Sequence, residues 1–360
     1  MSVNRYWLAF NLVQGIGPVK VRALLEQFGS LEAAWQADAP ALQQSGLDKR
    51  ALQNLLEARG SLDLDRESAK LEQAGVQALT WDDDGYPARL REIADPPPLL
   101  YVRGLLLPAD DFAVAMVGTR LATAYGKEIA RQLAGGLARN GVTVVSGLAR
   151  GIDLVAHQAA LDAGGRTIAV LGCGVDVIYP PEARTISKDI VQHGALLSDY
   201  PLGTRADAKN FPPRNRIISG MTLGTVVVEA DFSSGALITA SFALDQNRDV
   251  FAVPGSIHSK ASHGTNKLIQ QGAKLVTCVE DILEELQLEH AVEQQAVRAN
   301  VPEDETERTL WNALSQEPLH VDELRRTLDL PVSTISSTLI LMELKGLARH
   351  VGGMSYIRIE

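Results

Sequence analysis

Val142-Thr143-Val144-Val145-Ser146-Gly147-Leu148-Ala149-Arg150-Gly151-Ile152-Asp153 decides how this chain folds. A short β-branched run, Val142–Val145, reads as a strand. A glycine-bearing loop with one arginine follows, and Ile152-Asp153 then opens a helix. Near-continuous apolar strands belong to sheets covered on both faces. Ala113–Val117, Thr167–Leu171, Ala195–Ser198, Thr225–Val228, Val250–Val253 and Lys274–Val276 have the same character, with helical stretches between them. This alternation predicts an α/β core over 112–288: an extended Rossmann-like, doubly wound, mostly parallel sheet.

The flanks read differently. Residues 1–80 carry Leu12, Ile16, Val19, Leu24, Leu25 and Phe28 at helical spacing, interrupted at Gly15-Ile16-Gly17-Pro18. This predicts a helical domain like a helix-hairpin-helix. Its turn is either a packing element or a phosphate contact assisted by Lys20. Residues 81–111 form an ordered connector in which Leu99–Val102 reads as an edge strand. Residues 289–302 are a polar linker. Residues 303–360 read as three helices and a hairpin bracketed by Gly346 and Gly352-Gly353, the pattern of a winged helix. Its expected recognition helix, Pro331–Leu344, carries no Lys or Arg. Phosphate contacts need cations, so a protein-contact or dimer-supporting role is favoured there over DNA binding.

The chain has 360 residues and a net charge of -10, so a surface for nucleic acid must be a local patch. Cys173 and Cys278 are its two cysteines and build neither a metal cluster nor a disulfide framework. No leader pattern opens the chain and no apolar run reaches membrane-spanning length, so a cytoplasmic protein is expected. Neither a metal nor a cofactor is expected.

Four segments near strand ends combine glycine with anion-binding chemistry. They are Gly118-Thr119-Arg120, Ser146–Asp153, Phe211-Pro212-Pro213-Arg214-Asn215-Arg216 running on to Gly220, and Ser234-Gly235. Glycines let backbone N–H groups approach an anion, helix starts add a positive dipole end, and arginine adds a fork of donors. An aromatic ring at Phe211 offers a face for an unpaired base. Gly126-Lys127 is followed by Glu128 and lacks Walker spacing. Gly172-Cys173-Gly174 lacks the third Rossmann glycine, with Val177 in its place. Asp153 is expected to orient its loop and His157 to sit against the sheet. Cys173 is expected to be buried.

These motifs, with Glu229-Ala230, Ser234–Ala240, Val253-Pro254-Gly255, Tyr86-Pro87 and Pro97–Gly104, resemble the DprA/Smf family of DNA-processing proteins over nearly the whole chain. The resemblance implies a protein of natural transformation that binds single-stranded DNA, protects it and helps load RecA. It implies a homodimer formed through the core and no enzymatic activity. On the matching positions it implies DNA contacts at Arg120, Lys209, Phe211, Arg214 and Arg216. Gly118, Thr119, Ser146, Gly147, Arg150, Gly151, Asn215, Ser234 and Gly235 would line a phosphate pocket. The alternative is a phosphoribohydrolase-like enzyme, since Gly220-x-x-x-Gly224-Thr225-x-x-x-Glu229 resembles the glycine-rich segment and glutamate of cytokinin-activating enzymes. A small-nucleotide sensor would use the same pocket. Glu229 is then either a buried structural acid or the remnant of a catalytic one.

Overall fold

The computed structural model describes residues 5–288, 305–315, 318–328, 330–344 and 347–358. The chain divides into two compact units, Met1–Glu289 and His290–Glu360. The segment read as a linker, 289–302, and Gly346 lie outside the described residues.

The first unit is built on one nine-stranded sheet. Its strands are β1 (Gln77–Thr80), β2 (Leu99–Gly104), β3 (Ala113–Val117), β4 (Thr143–Ser146), β5 (Thr167–Val170), β6 (Gly194–Ser198), β7 (Gly224–Val227), β8 (Asp249–Ala252) and β9 (Lys274–Leu275), in the order β1-β2-β6-β5-β4-β3-β7-β8-β9. From β6 to β9 all neighbours are parallel, while β2 runs antiparallel to β6 and β1 antiparallel to β2. The chain starts this parallel array at β3, winds outward through β4, β5 and β6, then returns to the other side of β3 as β7. The β3/β7 boundary is therefore a topological switch point. In such sheets the crevice for ligands opens there, beyond the carboxyl ends of the strands.

The edge differs from the sequence reading. Leu99–Val102 is the second strand, not the edge strand, because Gln77–Thr80 pairs with it from outside. Four residues with mixed burial are too short to stand out after six helices. Four of the six helices in the first 73 residues are capped as their sequence dictates: Ser30, Asp38, Asp48 and Asp63 each accept from the N–H three residues on. They share one core with the sheet. Trp7, Phe10 and Leu24 belong to the same cluster as Tyr101, Leu171, Ile186 and Leu196. On the opposite face Leu100, Val102, Ala115 and Val117 pack with Ile217, Ile218, Ala236 and Ala240. Strands β2, β5 and β6 thus send alternate side chains into two different cores, which explains their unbroken apolar runs.

The second unit holds the helices Glu305–Ala313, Val321–Leu328 and Val332–Leu344. A sheet β10 (Leu319–His320), β12 (Ser355–Arg358) and β11 (Ala348–Gly352), in that spatial order, completes it. This is a winged helix, with Leu310, Val321, Leu324, Ile335, Leu339 and Met342 as its core.

Candidate nucleic-acid interface

A cleft of about 490 Å³ opens at the β3/β7 switch point. The loop after β3 supplies Gly118, Thr119, Arg120 and Leu121. The loop after β7 supplies Asp231, Ser233, Ser234 and Gly235, and the helix Phe211–Gly220 supplies Phe211, Arg214 and Asn215. Three separated pieces of sequence meet because all sit at the same end of adjacent parallel strands. Ser234 caps the helix Gly235–Asp245, its Oγ accepting from Ala236 N at 3.3 Å. That helix start faces the cleft, and a Cβ at Gly235 would meet nothing within 4 Å.

Arg120 is exposed, and no hydrogen bond or ion pair holds its guanidinium among the described residues. Its Cζ stands 5.3 Å from the centroid of the Phe211 ring. The ring is already engaged: Tyr179 stacks on it with centroids 5.9 Å apart and planes 26° from parallel. Phe211 is therefore the middle of a short stack, and Tyr179, 42% exposed, offers the outer aromatic surface. The sequence reading missed Tyr179. Its signal was an aromatic residue before Pro180-Pro181 in the long loop after β5, at the same sheet end as the glycine loops.

Arg214 lies in the floor. It is 4% exposed, and its Nη1 donates to Gly147 O at 2.9 Å and also to Val170 O. Burial pulls its pKa down to about 10, so it stays charged at neutral pH. Its Nε donates to Asn215 Oδ1 at 3.2 Å, which turns the amide group toward the cleft wall at Gly235. Asp153 accepts from Gly147 N at 3.1 Å and Ala149 N at 3.2 Å, and so orients the Ser146–Asp153 loop. Burial pushes its carboxyl up to about 6 despite the Arg214 charge nearby. Arg214 is thus a buried charge that biases the cleft positive, while Arg120 is the cation free to move onto a ligand.

Other expected site residues sit elsewhere. Arg216 is 7% exposed and joins Asp95 and Asp199, each at 3.0 Å. It locks the helix to the connector and to the loop after β6, because helical geometry points it away from the face that carries Phe211 and Arg214. Lys209 is exposed and paired with Asp207 at 3.2 Å, outside the cleft. Arg150 is paired with Glu182 at 2.7 Å and does not line the cleft either. Ser146, Gly147 and Gly151 act beneath the wall. Ser146 Oγ donates to Met116 O at 2.6 Å, and a Cβ on Gly147 would stand 2.7 Å from Arg214 Nη2. Gly151, at φ 81°, lets the helix start pass Thr119 O, which a Cβ would approach to 2.2 Å.

Glu229 has a structural assignment. It is 2% exposed, and its carboxylate accepts from Thr123 N at 3.0 Å and Thr123 Oγ1 at 2.5 Å. Its backbone oxygen accepts from Thr119 N at 2.8 Å. Both ends of the residue are spent on holding the Gly118–Thr123 loop against β7. His157 is fully buried, with Nδ1 2.7 Å from Thr167 Oγ1. That hydroxyl donates to Val144 O, so the ring carries its proton on Nδ1. Cys173 is buried and its thiol is pushed up to about 11, which leaves it unreactive. Lys20 is bound to Gly15 O at 2.8 Å and Asp48 at 2.5 Å, closing its own turn.

A doubly wound sheet with a cation-bearing cleft at its switch point, followed in the chain by a winged helix, defines an extended Rossmann-like protein of two units. Residues 77–287 match the family model of DNA recombination-mediator protein A, and residues 293–354 match that of the DprA winged helix domain. The chain belongs to the DNA recombination-mediator protein A family, DprA/Smf. It is 36% identical to Protein Smf of Synechocystis over 99% of both chains, and 40% identical to Protein Smf of Escherichia coli over 90% of this chain and 88% of that one. The crystal structure of DNA processing protein A from Streptococcus pneumoniae superposes with a TM-score of 0.70 at 36% identity, covering 79% of this chain and 99% of that one. DNA processing protein A from Helicobacter pylori, whose structure describes a single-stranded DNA binding mode, superposes at 0.53 with 31% identity, over 59% and 96%.

Proposed function

We propose that the β3/β7 cleft binds single-stranded DNA without regard to sequence. Arg120 meets a backbone phosphate, and the Tyr179–Phe211 stack provides the aromatic surface for a base. One observation carries this reading: an exposed, unpaired guanidinium held over an aromatic stack at a glycine-walled crevice. Stacking on such a surface contributes ~1–3 kcal/mol per base and tolerates any sequence. The relative from Helicobacter pylori, studied for its single-stranded DNA binding, supports the choice of ligand. The protein acts by binding rather than by bond cleavage. The acid that a phosphoribohydrolase reading requires, Glu229, is committed to Thr123.

In this reading the protein coats incoming strands during natural transformation in the cytoplasm, assists loading of RecA, and works as a homodimer through the α/β core. Mobility shifts with single- and double-stranded DNA at two salt concentrations test the cleft. Single strands are expected to bind more tightly. Arg120→Ala is expected to weaken that binding and to flatten its salt dependence by about 0.7 in log–log slope. An unchanged affinity and slope in Arg120→Ala would overturn the assignment.

A further inference from the structure

A second opening is lined by basic side chains. It is a groove of about 810 Å³ between the helix Arg184–His193 and the β2–β6 pair, lined by Val177, Ile178, Arg103, Arg184 and Lys188 among others. Arg103 lies on β2 opposite Leu196 of β6, on the sheet face that this helix covers. Arg184 and Lys188 are one helical turn apart, about 6 Å along the axis. All three cations are exposed, and none has an ion-pair or side-chain hydrogen-bond partner among the described residues. The one acid lining the groove, Asp176, is occupied: both its carboxylate oxygens accept from Gly203 N, at 2.9 and 3.0 Å.

Like charges four apart on a helix repel. In a chain of net charge -10, three cations without ion-pair partners among the described residues, set against the single carboxylate of Asp176, leave the groove net positive and suit an anionic ligand. One stretch of chain joins the groove to the cleft. Ile178 lines the groove, and its chain neighbour Tyr179 stacks on Phe211, which lines the cleft.

We propose that the groove is a second phosphate track for the same single strand. In this proposal a strand leaving the cleft crosses the Tyr179–Phe211 stack, the ridge between the two openings, and lays its backbone along Arg184, Lys188 and Arg103. This extends the cleft reading and rests on it. The track has no aromatic side chain, so it contributes charge and not stacking. It adds affinity only for strands long enough to cross the ridge.

Length and salt separate the two sites. Binding of the full chain to oligo(dT) of about six and about twenty nucleotides is measured against salt, for wild type, Arg120→Ala and the triple variant Arg103→Ala/Arg184→Ala/Lys188→Ala; the roughly 4–16 nucleotides that one OB fold occupies set the scale of these lengths. The triple variant is expected to lose affinity for the long oligonucleotide, with a log–log salt slope shallower by about 2, at about 0.7 per released contact. Its affinity for the short one is expected to be unchanged. An unaltered slope with the long strand, or an equal loss with both lengths, would sink the track. Arg120→Ala is expected to weaken both lengths. If it weakens neither while the triple variant behaves as expected, the cleft reading fails and the groove stands alone. The three side chains are exposed, so circular dichroism should show an unchanged fold.

Discussion

Arg214, Arg216 and Arg120 show how one residue type takes three roles. Arg120 is exposed and unpaired, Arg214 is buried beneath the cleft and bonded to backbone oxygens, and Arg216 is a buried strut between two aspartates. The roles predict opposite phenotypes. Arg216→Ala leaves Asp199 largely buried without its partner, and removing one member of a buried pair costs about 3–5 kcal/mol. Chemical denaturation of that variant is expected to show this loss, whereas Arg120→Ala is expected to leave stability unchanged. A stable Arg216→Ala would show that the pair carries no structural load. The sequence exposed all three arginines but not this division. Arg214 and Arg216 stand two positions apart on the helix, and that rotation alone sends one toward the cleft and the other toward the connector.

At the scale of elements, the helix Ala124–Arg139 and strand β7 are joined by Glu229. A Cβ on Gly126 would stand 2.2 Å from Glu229 Oε2. Helix propensity alone predicts that Gly126→Ala stabilises by ~1 kcal/mol. The collision predicts the reverse, a loss of about 1–3 kcal/mol as Glu229 is pushed off Thr123. The sign of the change in melting temperature decides between them. The helix Ile152–Asp162 makes a second prediction. Burial lowers the pKa of His157 to about 3, against about 6.5 in an unfolded chain. A group neutral in the native state and protonated when unfolded contributes stability above pH 6.5. That contribution is lost as pH falls toward 3, by up to ~1.4 kcal/mol per pH unit. Asp153, raised to about 6, works in the opposite sense below that pH, since its protonation favours the native state. Comparing wild type with His157→Asn in urea at pH 7, 6 and 5 isolates the histidine: the variant's stability should fall less on acidification. Parallel pH profiles would contradict the assignment.

For the whole molecule, two compact units imply a division of labour. The helix Val332–Leu344 bears no Lys or Arg and exposes Ile340 and Leu341, at 53% and 51%. Such a surface suits protein contact better than a phosphate backbone. A chain ending at Leu288 is expected to fold and to retain single-strand affinity within about threefold, while residues 303–360 alone are expected to bind far more weakly, because the helix Val332–Leu344 offers no cation to a phosphate. Loss of binding by the shorter chain would place part of the interface in the winged helix.

The sequence by itself determined the α/β core, eight of the nine strands of its sheet, the winged helix and the glycine–arginine loops. These features are local: strand runs, helix periodicity and turn chemistry are written within a few residues of one another. Only the tertiary structure decided which loops share a cleft, because that follows from strand order, and β3 and β7 are neighbours despite the hundred-odd residues between them. It also decided that Tyr179 covers Phe211, that Glu229 is spent on Thr123, and that Gln77–Thr80 rather than Leu99–Val102 forms the sheet edge. A side chain's availability is set by the partners that folding brings to it from distant parts of the chain.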